Sequence, residues 1–170
     1  MLGSVLAFAL LLSSCSSRNS LPALMVKRLA WMDEVAMAKQ LQKLPITDPK
    51  RETELLNAMT QRGVAAGLQE TQVRGFFTGQ MLAAKVVQEE WLRKHPQGVA
   101  SSVKVPSLTQ TVRPALDEIS TKMIAQLAKP RTAEGKAAVV RKAKRGLTKA
   151  GYSEAVKQAA LKGLREGLQE

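Results

Sequence analysis

Arg28, Lys39, Arg51 and Gln88 are the residues of this chain best placed to do chemistry. They are three cations and a carboxamide at spacings that put them on the inner faces of helices otherwise built from Leu, Val, Ala and Met. Two stretches carry them, RLAWMDEVAMAKQLQKLPITDPKRETELL and FFTGQMLAAKVVQEEW. Buried charge is destabilising unless a group of opposite charge meets it, so the pattern points to a small anion as the partner. Other chemistries find few actors here. The sequence holds no glycine-rich phosphate loop, no HExxH motif and no Ser–His pairing. Its one histidine, His95, stands beside Pro96 at the end of a predicted helix, where the helix dipole favours it. General acid–base and covalent catalysis are poorly served, so an enzyme built from this chain must work by binding and electrostatics.

Helices must position these residues. Ser20 reads as an N-cap with Pro22 in the first turn, opening a helix to about Leu44. Along it Leu21, Met25, Arg28, Met32, Val35 and Lys39 recur at spacings of three and four, which makes one face. Pro45 ends that run. Asp48-Pro49 is a fresh start, with Asp48 as cap, Pro49 at the first helical position, and Arg51 and Glu52 in the first turn. This second helix continues through Leu55, Leu56, Met59 and Val64 to about Leu68. A third runs roughly from Thr71 to Lys94, with Phe76, Phe77, Met81, Val87 and Trp91 as core candidates; Gln80, Ala84 and Gln88 stack at successive i, i+4 positions.

Pro96 and Gly98 open a linker that ends near Pro106. Beyond it, Leu108 to Leu127 is apolar-periodic, with a bend or restart at Arg113-Pro114 and a buried stripe of Leu116, Ile119, Met123 and Leu127. Pro130 breaks this segment, a shorter basic helix covers Ala133 to Lys144, and Ser153 caps a last helix through Val156, Ala160, Leu161, Leu164 and Leu168. No strand-like alternation appears. The expected fold class is all-α, a single-domain helical bundle of five or six helices.

The composition agrees. The 170 residues suffice for one domain with a real core; 45% are hydrophobic but only 4% aromatic, which favours helices. The formal net charge is +12, and residues 129–170 hold eleven basic against four acidic residues. This basic part reads either as a nucleic-acid footprint or as a solvated face. The second reading is preferred, because no recognition-helix pattern, zinc spacing or aromatic platform accompanies the charge.

Residues 1–20 read as an export signal. Their apolar run, residues 5–12, is too short to cross a bilayer and sits where a signal core belongs, although the usual basic flank is missing. Leu12-Ser13-Ser14-Cys15 also resembles a lipoprotein processing site, in which Cys15 would carry a lipid anchor. Cys15 is the only cysteine, so residues 21–170 contain no disulfide, cysteine nucleophile or cysteine metal cluster.

The residues together carry a resemblance. Arg28, ten residues, Lys39, then Asp48, Arg51 and Glu52, then FFxxQxxAAKxVQxxW with Phe77, Gln80, Lys85, Gln88 and Trp91, is similar to the secreted subclass of AroQ-type, all-helical chorismate mutases. The segment TVRPALDEIS resembles a later element of that subclass that supplies a further arginine, here Arg113. The likeness covers residues 21–127, with the basic C-terminal helices matching only loosely.

The resemblance implies rearrangement of chorismate, a dicarboxylate, to prephenate in the periplasm, with no cofactor, no metal and no nucleic-acid partner. It further implies a possible homodimer whose active sites each lie within one protomer. Arg28, Arg51 and Arg113 would grip the carboxylates, since guanidinium forks match carboxylate geometry. Lys39 and Gln88 would meet charge developing on the ether oxygen, Glu52 would accept from the substrate hydroxyl, and the Asp48 helix start would add polar contacts. Gln80 and Ala84 would shape the wall; relatives often have a small hydroxyl residue at the position of Ala84. Two rivals stand beside this reading, an isochorismate pyruvate lyase in a related pocket and a basic envelope or nucleic-acid-binding module.

Overall fold

The computed structural model describes residues 19–99 and 103–169. The leader, with Cys15, lies outside the described residues. Those described form α1 (Leu21–Ala30), α2 (Met32–Leu41), α3 (Pro49–Ala65), α4 (Glu70–Lys94), a π-helical turn (Leu108–Val112), α5 (Arg113–Leu127), α6 (Ala133–Lys149) and α7 (Glu154–Leu168). No strand occurs among them, and the all-helical bundle expected from the sequence is the fold observed.

The first long helix is two. At Trp31 the backbone N–H turns to the carbonyl of Arg28, three residues back, and the chain restarts as α2. The second piece stops at Leu41 rather than Leu44, because Lys43 adopts a left-handed φ of 53° and the Leu44 N–H returns to the Lys39 carbonyl. The backbone has therefore left the helix before Pro45 is reached.

Local chemistry explains the other boundaries. The Asp48 carboxylate accepts from the Arg51 N–H at 3.0 Å while the Asp48 N–H donates to Glu52 Oε1 at 3.2 Å, a reciprocal cap that starts α3 at Pro49. Gln69 and Gln72 cap α4 in the same reciprocal way. The π-helical turn immediately precedes Pro114: the Val112 N–H reaches back five residues to Ser107 and the Arg113 N–H five to Leu108. That wider turn relieves the crowding a proline ring imposes on the carbonyl four residues before it. The Ser153 hydroxyl accepts from the Val156 N–H and starts α7.

The central element is α4, 25 residues long, against which α1, α2, α3 and α7 pack. Phe76 and Phe77 are wholly buried on it, edge to face with centroids 5.1 Å apart. On the side of α7 the two helices meet through glycines: a Cβ built on Gly79 would lie 2.5 Å from Gly163 Cα. Residues 129–170, read from the sequence as a loosely matching basic part, thus supply α7, the most extensive partner of α4, whose Val156, Ala160 and Leu164 complete the core. Helix α6 extends to Lys149, five residues past the expected Lys144, and joins this half through Val140, Ala143 and Leu147.

Candidate active site

Away from α7, the inner faces of α1 to α5 enclose a cavity of about 210 Å³. Arg28 and Met32 reach it from the α1–α2 junction and Lys39 from the last turn of α2; Asp48, Arg51 and Glu52 enter from the start of α3, Ala84, Lys85 and Gln88 from α4, and Arg113, Asp117 and Ser120 from α5. Eight of the nine residues assigned to a site from the sequence line it.

Gln80 is the exception. It is fully buried and is not among the residues that line this cavity. Successive i, i+4 positions do not stay in line on an α-helix but drift by roughly 40° per step. Gln88 and Ala84 remain on the arc that faces the cavity, whereas Gln80 has rotated out of it toward α1. There its backbone carbonyl accepts from Arg28 Nη1 at 3.3 Å, and both polar atoms of its side chain are buried without a hydrogen-bond partner.

Five cations (Arg28, Lys39, Arg51, Lys85, Arg113) and three carboxylates (Asp48, Glu52, Asp117) line the cavity. The carboxylates are already engaged. Asp117 pairs with Arg62 at 2.7 Å, Glu52 Oε2 with Lys85 Nζ at 2.7 Å, and Asp48 with the Arg51 N–H. Among the described residues Arg28, Lys39 and Arg113 form no ion pair.

Arg28 is the extreme case, 4% exposed with Nε lacking any hydrogen-bond partner. Burial pushes its guanidinium down to about 10, which still leaves it charged at neutral pH. Lys39 Nζ donates to the Ile46 carbonyl at 2.6 Å. Burial lowers its pKa; Asp48 and Glu52 raise it, while Lys85 and Arg113 act with the burial.

Gln88 Nε2 donates to the Ala84 carbonyl at 3.0 Å and approaches Met32 Sδ at 3.8 Å; Oε1 is buried and unpartnered. A carboxamide nitrogen carries two hydrogens, so the one directed at the weak thioether acceptor is available to a better one. The polar atoms that converge here can therefore hold an anion and stabilise negative charge on an oxygen within it.

Three polar lining side chains, Asp117, Ser120 and Lys85, carry no role assigned from the sequence. Ser120 is buried, its hydroxyl donating to the Leu116 carbonyl at 2.7 Å, and Asp117 stands one turn before it. Positions 113, 116, 117 and 120 form a helical stripe, so the signal is present once Arg113 is singled out. Lys85 belongs to the recognised pattern without a role there; the structure pairs it with Glu52. His95, at the end of α4, stacks on Trp91 at 4.3 Å, accepts Gln40 at its carbonyl and lies outside the cavity.

A family model described as chorismate mutase type II matches residues 19–89. The chain is 32% identical over 111 residues to a monofunctional chorismate mutase of Enterobacter agglomerans, covering 65% of this chain and 61% of that one. It is 29% identical over 106 residues to a secreted chorismate mutase of Yersinia pestis, covering 60% and 54%. The matched region thus spans between about half and three fifths of these relatives' lengths.

Among solved structures, a chorismate mutase from Burkholderia thailandensis is similar with a TM-score of 0.73 and 28% identity, over 88% of this chain and 97% of that one. The secreted chorismate mutase from Yersinia pestis has the same fold, with a TM-score of 0.71 at 23% identity, over 88% and 96%.

Proposed function

We propose that the chain is a type II chorismate mutase, the family whose model matches residues 19–89, and that its cavity converts chorismate to prephenate by an intramolecular Claisen rearrangement. The observation that carries this reading is Arg28, a buried cation without an ion-pair partner in a cavity that also presents Lys39, Arg51 and Arg113. The reaction asks for little else. The enolpyruvyl arm of chorismate must fold over its ring, and the ether bond lengthens ahead of carbon–carbon bond formation, leaving negative charge on the ether oxygen. A protein accelerates this by holding the folded conformer and meeting that charge with fixed donors.

In this mechanism Arg28, Arg51 and Arg113 bind the two carboxylates and hold the chair-like conformer. The ammonium of Lys39 exchanges the Ile46 carbonyl for the ether oxygen, where Gln88 donates its second N–H. Glu52 accepts from the ring hydroxyl with a lone pair left free by Lys85 and the Asp48 N–H. Ala84 shapes the wall beside Gln88. Nothing in this scheme requires a nucleophile or a titrating base. Because every residue it uses comes from one chain, a homodimer would hold two self-contained sites.

The secreted relative and the apolar run of residues 5–12 support export to the periplasm, and the likeness of Leu12-Ser13-Ser14-Cys15 to a lipoprotein processing site supports Cys15 as the point of lipid attachment; mass spectrometry of the processed N-terminus tests both. Turnover is tested with chorismate and isochorismate side by side. Prephenate formation from chorismate is expected; pyruvate and salicylate from isochorismate, with no prephenate, would replace this reading by a lyase.

A further inference from the structure

Helix α6 presents a cationic face that takes no part in the site. Arg141, Lys142, Lys144, Arg145 and Lys149 are all exposed, and at roughly 100° per residue they fall within an arc of roughly 160°. The opposite face, Val140, Ala143 and Leu147, is locked into the core. Residues 135–153 contain no acidic residue, and none of the five cations forms an ion pair with a described residue. Glu154 lies within electrostatic range of Lys144 but is engaged by Lys157. By contrast, Arg62, Arg74 and Lys122 on other helices each meet a carboxylate. A stripe without such partners raises the local positive potential and favours a partner of dense negative charge. No residue of α6 lines the catalytic cavity, so the charge does not steer substrate at close range.

We propose that the exposed face of α6 is a docking surface for an anionic phospholipid bilayer. The arc carries only cations, alanines, Thr148 and, at its start, Glu134; it offers no aromatic ring to stack on a base and no Asn or Gln to read a base edge. Arg141, Arg145 and Lys149, four residues apart, form a row about 12 Å long at 1.5 Å per residue that winds by roughly 80° around the helix. The long, flexible side chains of this exposed arc can together reach a charged membrane surface, where each Lys or Arg adds to binding without specific contacts. Binding is peripheral and electrostatic, because the large apolar side chains of α6 that face the core are not free to insert.

The test uses the full chain in sedimentation with two sets of vesicles, phosphatidylcholine alone and phosphatidylcholine with about one third phosphatidylglycerol. Partitioning is expected to be at least about tenfold stronger on the anionic vesicles at about 0.1 M salt and to fall away at about 0.5 M. The leader is common to both arms and so cannot create the difference. Replacing the five cations together by glutamine should abolish the preference while leaving helical content and chorismate turnover unchanged. Equal partitioning on both vesicles, or an undiminished preference in the glutamine variant, would overturn the proposal. So would displacement of the protein from anionic vesicles by duplex DNA at equal phosphate, which would assign the face to nucleic acid. The readout is independent of turnover, so failure here leaves the catalytic reading untouched.

Discussion

Lys85 Nζ lies 2.7 Å from Glu52 Oε2, tying the middle of α4 to the first turn of α3 inside the cavity. Glu52 also accepts the Asp48 N–H that closes the α3 cap, so one lysine orients a carboxylate and the helix start that carries Arg51. Both side chains are about one quarter exposed, and the pair adds little to stability, on the order of 1 kcal/mol or less. Its effect should appear in catalysis. Lys85→Met is expected to lower kcat/KM by roughly ten- to thirtyfold with a small change in Tm, whereas Lys85→Arg retains most activity. Unchanged kcat/KM in Lys85→Met would reduce the contact to an ordinary ion pair.

In the proposed mechanism Arg28 trades stability for function. Its folded-state pKa, about 10, lies below the ordinary arginine value, so the fold disfavours the charged form. The resulting penalty is fully present below about pH 10 and disappears only as pH rises toward that ordinary value. Arg28→Met removes the buried charge while keeping most of the volume. It should raise stability by roughly 1–3 kcal/mol and lower kcat/KM by a factor on the order of a thousand or more. Denaturant unfolding and steady-state kinetics on the same preparation check both; a destabilised variant would show that Arg28 is a structural residue.

Lys39 should set the alkaline limit of activity. Burial holds its pKa below the ordinary lysine value, so the falling limb of kcat/KM, which reports the free enzyme, is expected below that value. Bound dicarboxylate favours the ammonium, and the limb in kcat should lie higher. Lys39→Ala should lose kcat mainly, since the group acts on charge that appears in the transition state. Wild-type kcat in that variant would remove Lys39 from the mechanism.

Gln88 should make the acid side flat. A carboxamide donates at every pH, and kcat/KM should change little through this group between about pH 5 and 8. In Gln88→Glu the carboxyl must be protonated to donate to the ether oxygen, so its activity should fall as pH rises over that range. Coincident profiles for the two proteins would overturn the assignment.

The glycine contact between α4 and α7 should be intolerant of a single methyl. A Cβ on Gly163 would meet Gly79 Cα at 2.7 Å and the Phe76 carbonyl at 2.8 Å, and neither backbone can yield as a side chain would. Gly163→Ala is expected to cost on the order of 2–3 kcal/mol, read as a shift in Tm. A control near the start of α6, Gly135→Ala, meets nothing closer than 3.4 Å and should be neutral or stabilising.

Local pattern was enough to define the helices and most of the residues that line the cavity. Period and capping are properties of neighbouring residues: Asp48-Pro49 starts α3 whatever surrounds it, and the spacing of Arg28, Met32 and Lys39 selects one face of the first helical pair. Arg113, across an irregular linker, was singled out only through the resemblance of TVRPALDEIS to a family element. Relations between distant backbones were not legible. Gln80 shares the spacing of Ala84 and Gln88, yet helical drift and the position of α1 turn it from the cavity into a support for Arg28. Lys85 and Glu52 are both visible in the sequence but become a pair only when α3 and α4 pack. The apolar stripe of the last helix was legible as Val156, Ala160, Leu161, Leu164 and Leu168, whereas its close approach to α4 rests on glycines that matter only where two helices touch. Local free energies are encoded in neighbouring residues; contact, burial and the absence of a counter-charge exist only once the chain has folded.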